Sequence, residues 1–125
     1  MIDTIGLFLL VAVFGGLGSA LRFVLSRWQG TLPWGILMAN ILAATVATTA
    51  YFAFSQSFAS LVLVFGFAGG LSTFSAVSAQ TFDYFKAGQI NRMVFNALFQ
   101  FGLPILATVV VAVVYLAGII RPIGW

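Results

Sequence analysis

Residues 66–75 have the sequence Gly66-Phe67-Ala68-Gly69-Gly70-Leu71-Ser72-Thr73-Phe74-Ser75 and lie near the middle of a long apolar segment. Three glycines and three hydroxyl residues in so short a stretch make a poor α-helix. At membrane depth, irregular backbone is tolerated only where it is buried in protein or lines a cavity. We therefore predict a helix broken at this point, with freed carbonyl oxygens that suit a small hard cation such as sodium. A close-packing glycine patch is the alternative.

The composition of the chain indicates a membrane protein. Hydrophobic residues make up 62% of the 125 residues and charged residues only 6%, whereas a soluble domain carries about 25% charged residues. A surface with so few charges requires lipid as its solvent. The length and the even composition predict one all-α domain over residues 1–125.

Four apolar segments are long enough to cross the hydrocarbon core, which takes about 20 residues of helix. They cover approximately residues 5–25, 33–54, 58–82 and 93–120. Pro33 suits a first helical turn, and Pro104 is expected to bend the fourth helix. The short connectors predict antiparallel neighbouring helices.

Basic residues are distributed unevenly between the two ends of the predicted helices. Arg27, Lys86 and Arg92 lie in the loops after spans one and three, and Arg121 lies on the opposite side. The positive-inside rule therefore predicts that those two loops face the cytoplasm and the termini face outward.

Several functional classes are excluded by residues that the sequence lacks. Without cysteine, histidine or glutamate, the chain cannot build a Ser-His-Asp site or most zinc sites, so we do not expect an enzyme. A proton-coupled small multidrug transporter needs a carboxylate within the membrane. The two aspartates of this chain, Asp3 and Asp83, lie near predicted helix ends, which argues against such a transporter. The five basic residues are too dispersed for nucleic-acid binding.

Arg22 and Asn40 are polar residues within predicted spans. An arginine at this depth costs roughly 2.5–3.5 kcal/mol unless it faces water or a partner, or reaches the interface. If Arg22 lines a wet vestibule, it concentrates anions there. The Asn40 amide can serve either as a bond between helices or as an anion donor.

A polar stripe continues from the glycine-rich segment. Phe74 can present a positive ring edge to an anion, although most membrane phenylalanines pack in the core or against lipid. Ser75, Ser78 and Thr81 follow at helical spacing and form either a polar track or a set of interhelical bonds. Asn96 and Gln100, four residues apart in span four, place two amides on one helix face, where the same alternatives apply.

Three motifs in order resemble the Fluc family of fluoride channels, also called CrcB proteins. GGLGSALRF at residues 15–23 resembles GGxxGAxxRY, GILMAN at residues 35–40 resembles GTLxVN, and GFAGGLSTFS at residues 66–75 resembles GFxGGxTTFS. The resemblance covers nearly the whole chain, including the number of spans and the loop lengths.

The resemblance implies a multi-pass protein of the inner (plasma) membrane that exports fluoride passively and so relieves fluoride toxicity. It implies an antiparallel dimer in membrane lipid, with two fluoride pores and a central structural sodium ion held by the backbone carbonyls of Gly69 and Ser72. The pore residues would include Asn40, the ring edge of Phe74, and Ser75. The other candidate pore positions are Arg22 at the mouth, Ser78 on the track, and Asn96, where many members have a tyrosine.

The chain departs from the family pattern just after Phe74. The pattern TFSTFSxE reads TFSAVSAQ at residues 73–80, so that Ala76, Val77 and Gln80 replace Thr, the second pore Phe and Glu. A homodimer, a heterodimer with a paralogous chain, and a non-conducting partner subunit are therefore all open. The charge bias of the loops favours the heterodimer, because self-paired antiparallel chains should carry almost none.

Overall fold

The computed structural model describes residues 3–54 and 57–122, and most of them are helical. The helices are α1 (Thr4–Ser26), α2 (Trp34–Phe54), α3 (residues 58–71), α4 (Ser75–Lys86) and α5 (Ile90–Leu116). At 1.5 Å per residue, the 23 residues of α1 extend over about 34 Å.

Local sequence signals account for where the first two helices begin. The carboxylate of Asp3 accepts a hydrogen bond from the Gly6 N–H at 2.7 Å and caps α1. Pro33 precedes α2, whose buried face is rich in alanine and lies against α3 and α5. Small side chains let these helices approach closely, as is usual in lipid.

The third apolar segment is interrupted as predicted. Within α3, the residues Val62–Ala68 form a π-helical stretch, a wider turn that is often found at functional sites. The chain leaves the helix at Ser72, which is extended with φ −75° and ψ 153°, and becomes helical again at Ser75. The second half, α4, continues to Lys86 and not only to the predicted residue 82.

Helix α5 begins three residues before the predicted start and ends four before the predicted end. It runs from Ile90 to Leu116 and stays helical through Pro104, whose carbonyl accepts a hydrogen bond from the Thr108 hydroxyl at 3.1 Å. Gly118 follows the helix with φ 71°, a left-handed conformation that suits glycine and ends the helix.

Large apolar side chains cover the outside of the protein. Phe8, Phe65 and Leu116 are about 70% exposed (69%, 68% and 77%) in the single chain. Within the described residues, the three segments that contain them and α2 are each long and hydrophobic enough to cross a membrane. This outer surface therefore suits lipid or another membrane-embedded chain.

The interior is centred on the helix break. Leu71 and Ala39 are fully buried, and Ala43 and Ala68 pack with them. Helix α1 crosses this region at two close backbone contacts: its Gly18 lies against the backbone of Phe67 and Leu71, and Gly70 of α3 lies against the backbone of Gly15. A Cβ atom at Gly18 or Gly70 would overlap a carbonyl oxygen, so glycine is required for this close approach.

We predict that Gly18→Ala destabilises the fold, by about 1–3 kcal/mol, because the added methyl group forces α1 away from the break. The matched control is Gly16→Ala on the same helix, where a Cβ has no heavy atom within 4 Å among the described residues. Denaturant unfolding in micelles, followed by circular dichroism, measures both. Equal stability of the two variants would contradict this packing.

Candidate functional site

Asn40 holds the break open through two hydrogen bonds to one residue. Its Oδ1 accepts the Thr73 N–H at 2.8 Å, and its Nδ2 donates to the Thr73 carbonyl at 3.2 Å. In a continuous helix the Thr73 N–H would donate to the Gly69 carbonyl, four residues earlier. The Asn40 side chain thus replaces a helical bond and satisfies backbone groups that could not remain unpaired at membrane depth.

The carbonyl oxygens at the end of α3 are met by polar side chains. Arg22 donates from Nη1 to the Ser72 carbonyl at 3.1 Å, and the Ser19 hydroxyl donates to the Gly70 carbonyl at 3.3 Å. The Ser72 hydroxyl lies 3.5 Å from the Gly69 carbonyl. The negative end of the α3 dipole therefore accounts for the position of the Arg22 guanidinium within a membrane span.

The start of α4 presents the opposite polarity. Thr73 caps it, because its Oγ1 accepts the Ala76 N–H at 3.3 Å and lies 3.3 Å from Ser75 Oγ. The first N–H groups of a helix lack intrahelical acceptors and carry partial positive charge.

Three cavities surround the break, and we name each by what lines it. The arginine cavity, of about 310 Å³, is lined by Arg22 and Ser75 together with Ser19, Ser26 and Thr73. One cation, several hydroxyl groups and a helix N-terminus thus converge on one space. This is the chemistry that binds a small anion.

The break cavity, of about 410 Å³, lies on the other side of Thr73, which lines both spaces. Its polar lining is Asn40, Ser72, Thr73 and Gln100, and most of the rest is aliphatic or aromatic. The hydroxyl cavity, of about 360 Å³, contains Ser78 and Thr81 among apolar side chains. In both cavities the polar side chains are therefore few and lie among apolar side chains.

Asn96 and Gln100 form a buried network with α4 and the start of α2. Asn96 Nδ2 donates to Thr81 Oγ1 at 3.0 Å, and the Thr81 hydroxyl donates to the Val77 carbonyl at 2.7 Å. Gln100 Nε2 lies 3.4 Å from both Asn96 Oδ1 and the Pro33 carbonyl. Two amides thus connect three helices in the interior, where such bonds fix the packing.

Most of the residues predicted for the site lie around these cavities. Arg22 and Ser75 share the arginine cavity. Asn40, Gly69, Ser72 and Phe74 line the break cavity, and Phe74 and Ser78 line the hydroxyl cavity. Asn96, in contrast, is only 1% exposed and lies behind Thr81, so direct contact between Asn96 and an ion remains a prediction.

The sequence patterns assigned no role in the site to Thr73 or Phe101, and they left Gln100 with the alternatives of a polar track or an interhelical bond. Thr73 stands in a quoted motif, but its backbone bonds to Asn40 have no sequence signal. The spacing of Gln100 from Asn96 was a usable signal, since it places both amides on one helix face. Phe101 is one of fourteen phenylalanines, and no pattern distinguished it.

Several curated relatives of the chain share a functional name. A protein of Leptospira interrogans called "Fluoride-specific ion channel FluC" is 38% identical over 91 residues, covering 64% of this chain and 71% of the relative. Proteins of the same name are 36% identical over 105 residues in Thermus thermophilus (76% and 80% covered) and 32% over 112 residues in Clostridium perfringens (82% and 88% covered).

The family is shown by a match that covers most of the chain. Residues 9–115 match the family model described as "CrcB-like protein, Camphor Resistance (CrcB)". This range includes every residue that lines the arginine and break cavities. With its four membrane-spanning segments, the chain is a multi-pass membrane protein that belongs to the CrcB family.

Proposed function

We propose that the chain is a subunit of a fluoride-selective channel that lets fluoride leave the cell passively down its gradient. The observation that carries this proposal is the arginine cavity, where Arg22, Ser75 and the N-terminus of α4 surround one space beside the helix break. The family and the name shared by its relatives support fluoride as the anion.

Fluoride holds its water tightly, so a pore must replace those contacts with groups of its own. Arg22 raises the concentration of anions at the mouth. Ser75 and the second Nδ2 hydrogen of Asn40 donate hydrogen bonds. The positive edge of the Phe74 ring then faces the partly dehydrated ion, and Ser78 offers a hydroxyl beyond it.

The residues shared between cavities support a proposed order for these contacts. Thr73 lines both the arginine cavity and the break cavity, and Phe74 lines both the break cavity and the hydroxyl cavity. The proposed path therefore runs from Arg22 past Thr73 and Asn40, and then past Phe74 to Ser78. Asn96 has a proposed place beside this path through its bond to Thr81.

The proposed channel is an antiparallel dimer, with either a second copy or a paralogous chain as the partner. Phe74 is 68% exposed in the single chain, so a polar pore past its ring needs a second subunit to separate it from lipid. The exposed apolar surface of the helices supports this assembly.

A structural sodium ion at the centre of the dimer is part of the same proposal. The Gly69 and Ser72 carbonyls are hard oxygen donors that do not take part in a continuous helix, which suits sodium. Arg22 already donates to the Ser72 carbonyl, but a carbonyl oxygen has two lone pairs and can accept a second contact. Two carbonyls are few for one ion, and the partner subunit would supply the others.

Efflux from liposomes tests the proposed function. The purified chain is reconstituted alone, and also with a paralogous chain where the source has one, and fluoride and chloride efflux are followed with electrodes. Fast fluoride efflux without chloride efflux supports the proposal, and flux only in the mixed preparation identifies a heterodimer. Equal efflux of the two anions, or none from folded protein in either preparation, contradicts it.

We predict that Asn40→Asp abolishes fluoride efflux. An aspartate can still accept the Thr73 N–H, so that the break is largely kept, but its charge repels the anion and its donor is lost. The control is Asn91→Asp at the exposed start of α5, which adds the same charge away from the three cavities. Undiminished efflux from Asn40→Asp would remove Asn40 from the pore.

A further inference from the structure

Phe101 on α5 forms an aromatic pair with Phe74. The two ring centroids are 5.8 Å apart and the ring planes are inclined at 46°. Both side chains are well exposed in the single chain, Phe74 by 68% and Phe101 by 46%. The pair therefore contributes little to the buried core, although it joins the start of α4 to α5.

The pair stands where two cavities meet. The break cavity and the hydroxyl cavity have three lining residues in common, namely Phe74, Val77 and Phe101. Val77 is 2% exposed, so it forms the floor of this boundary and offers no aromatic edge. On the proposed path, an ion that moves from the amide of Asn40 to the hydroxyl of Ser78 passes these two rings.

The chemistry of this boundary suits an anion that has lost part of its hydration shell. Aromatic rings carry positive potential at their edges and negative potential at their faces. Because the two rings are tilted, their faces do not cover one another completely. None of the three shared residues is charged, so the ring edges supply the positive potential at this boundary.

Among the residues that the structure describes, the other aromatic pairs do not lie at this boundary. Phe95 and Phe99 stack at 6.1 Å on the same helix, α5, and are also exposed. Neither of them lines the arginine, break or hydroxyl cavity. Phe99 is thus a matched reference for Phe101, with the same residue type, the same helix and similar exposure.

We propose that Phe101 is a second aromatic residue of the fluoride path and that, with Phe74, it forms the selectivity constriction between the break cavity and the hydroxyl cavity. The inference rests on the proposed function, since it names the group that the ion meets next to Phe74. It assigns to α5 the aromatic contact that Val77 on α4 does not provide.

The first test compares Phe101→Leu, Phe101→Tyr and Phe99→Leu in liposomes. Each variant is reconstituted alone or with the paralogous chain, according to which preparation of the wild type conducts fluoride. Phe101→Leu removes the ring and is expected to lower fluoride efflux about tenfold, equivalent to about 1.4 kcal/mol in the barrier. Phe101→Tyr keeps the ring edge and should retain most of the efflux, as should Phe99→Leu. Wild-type efflux in Phe101→Leu, with fluoride still preferred over chloride, overturns the inference while the proposed function stands.

The second test does not require conduction by the protein. Protein labelled with ¹³C-phenylalanine is titrated in micelles with sodium fluoride or sodium chloride, and the Phe101 signals are identified by their loss in Phe101→Leu. A fluoride-specific shift at Phe101 and Phe74, but not at Phe99, supports the inference. If Phe74 shifts and Phe101 does not, the inference is overturned. If no ring shifts and the wild type shows no efflux, both the inference and the proposed function are overturned.

Discussion

The two hydrogen bonds between the Asn40 amide and the backbone of Thr73 are the contact on which the site depends. A helix that stops in the middle of a membrane leaves N–H and C=O groups unpaired, at a cost of several kcal/mol each. The side chain of Asn40 has a donor and an acceptor at the spacing of a peptide group, so that it satisfies both groups of Thr73 at once. The break is thus a stable part of the fold that the Asn40 side chain stabilises, and Gly70 allows the close approach of α1 beside it.

One interruption produces two helix ends of opposite polarity close together. The carbonyl end of α3 attracts cationic groups, and Arg22 donates to its Ser72 carbonyl. The amide end of α4 attracts anions, and the arginine cavity lies against it with the Ser75 hydroxyl. Because Arg22 reaches both features, its charge is offset by the α3 dipole and is still available to an anion. The glycine contacts of α1 bring Arg22 to this position, which links a packing requirement to the electrostatics of the site.

The sequence predicted the features that depend on a strict local rule. The break follows from glycine and hydroxyl residues in residues 66–75, and the four spans follow from the length that a bilayer requires. The extension of α4 to Lys86 was not predicted, because its last turn contains the charged Asp83 and Lys86 and hydropathy does not register a helix beyond the hydrocarbon core. The enclosure of Asn96 and the position of Phe101 depend on how α5 rotates against α4. That rotation is set by packing among many similar apolar side chains, which no single motif encodes.

The hydrogen bonds of the buried amides fix which atom each amide presents to its neighbours, and composition alone does not indicate this. The Thr81 hydroxyl donates to the Val77 carbonyl, so it must accept from Asn96 Nδ2, and the Asn96 oxygen then faces Gln100. Gln100 therefore presents Nε2 to Asn96 and to the Pro33 carbonyl, and its Oε1 has no partner within residues 3–54 and 57–122. An unpaired carbonyl oxygen repels an anion and attracts a donor such as water. The groups that favour an anion are those at the start of α4 together with Asn40, which bonds to Thr73, and on α5 the aromatic edge of Phe101 is the group best suited to the anion.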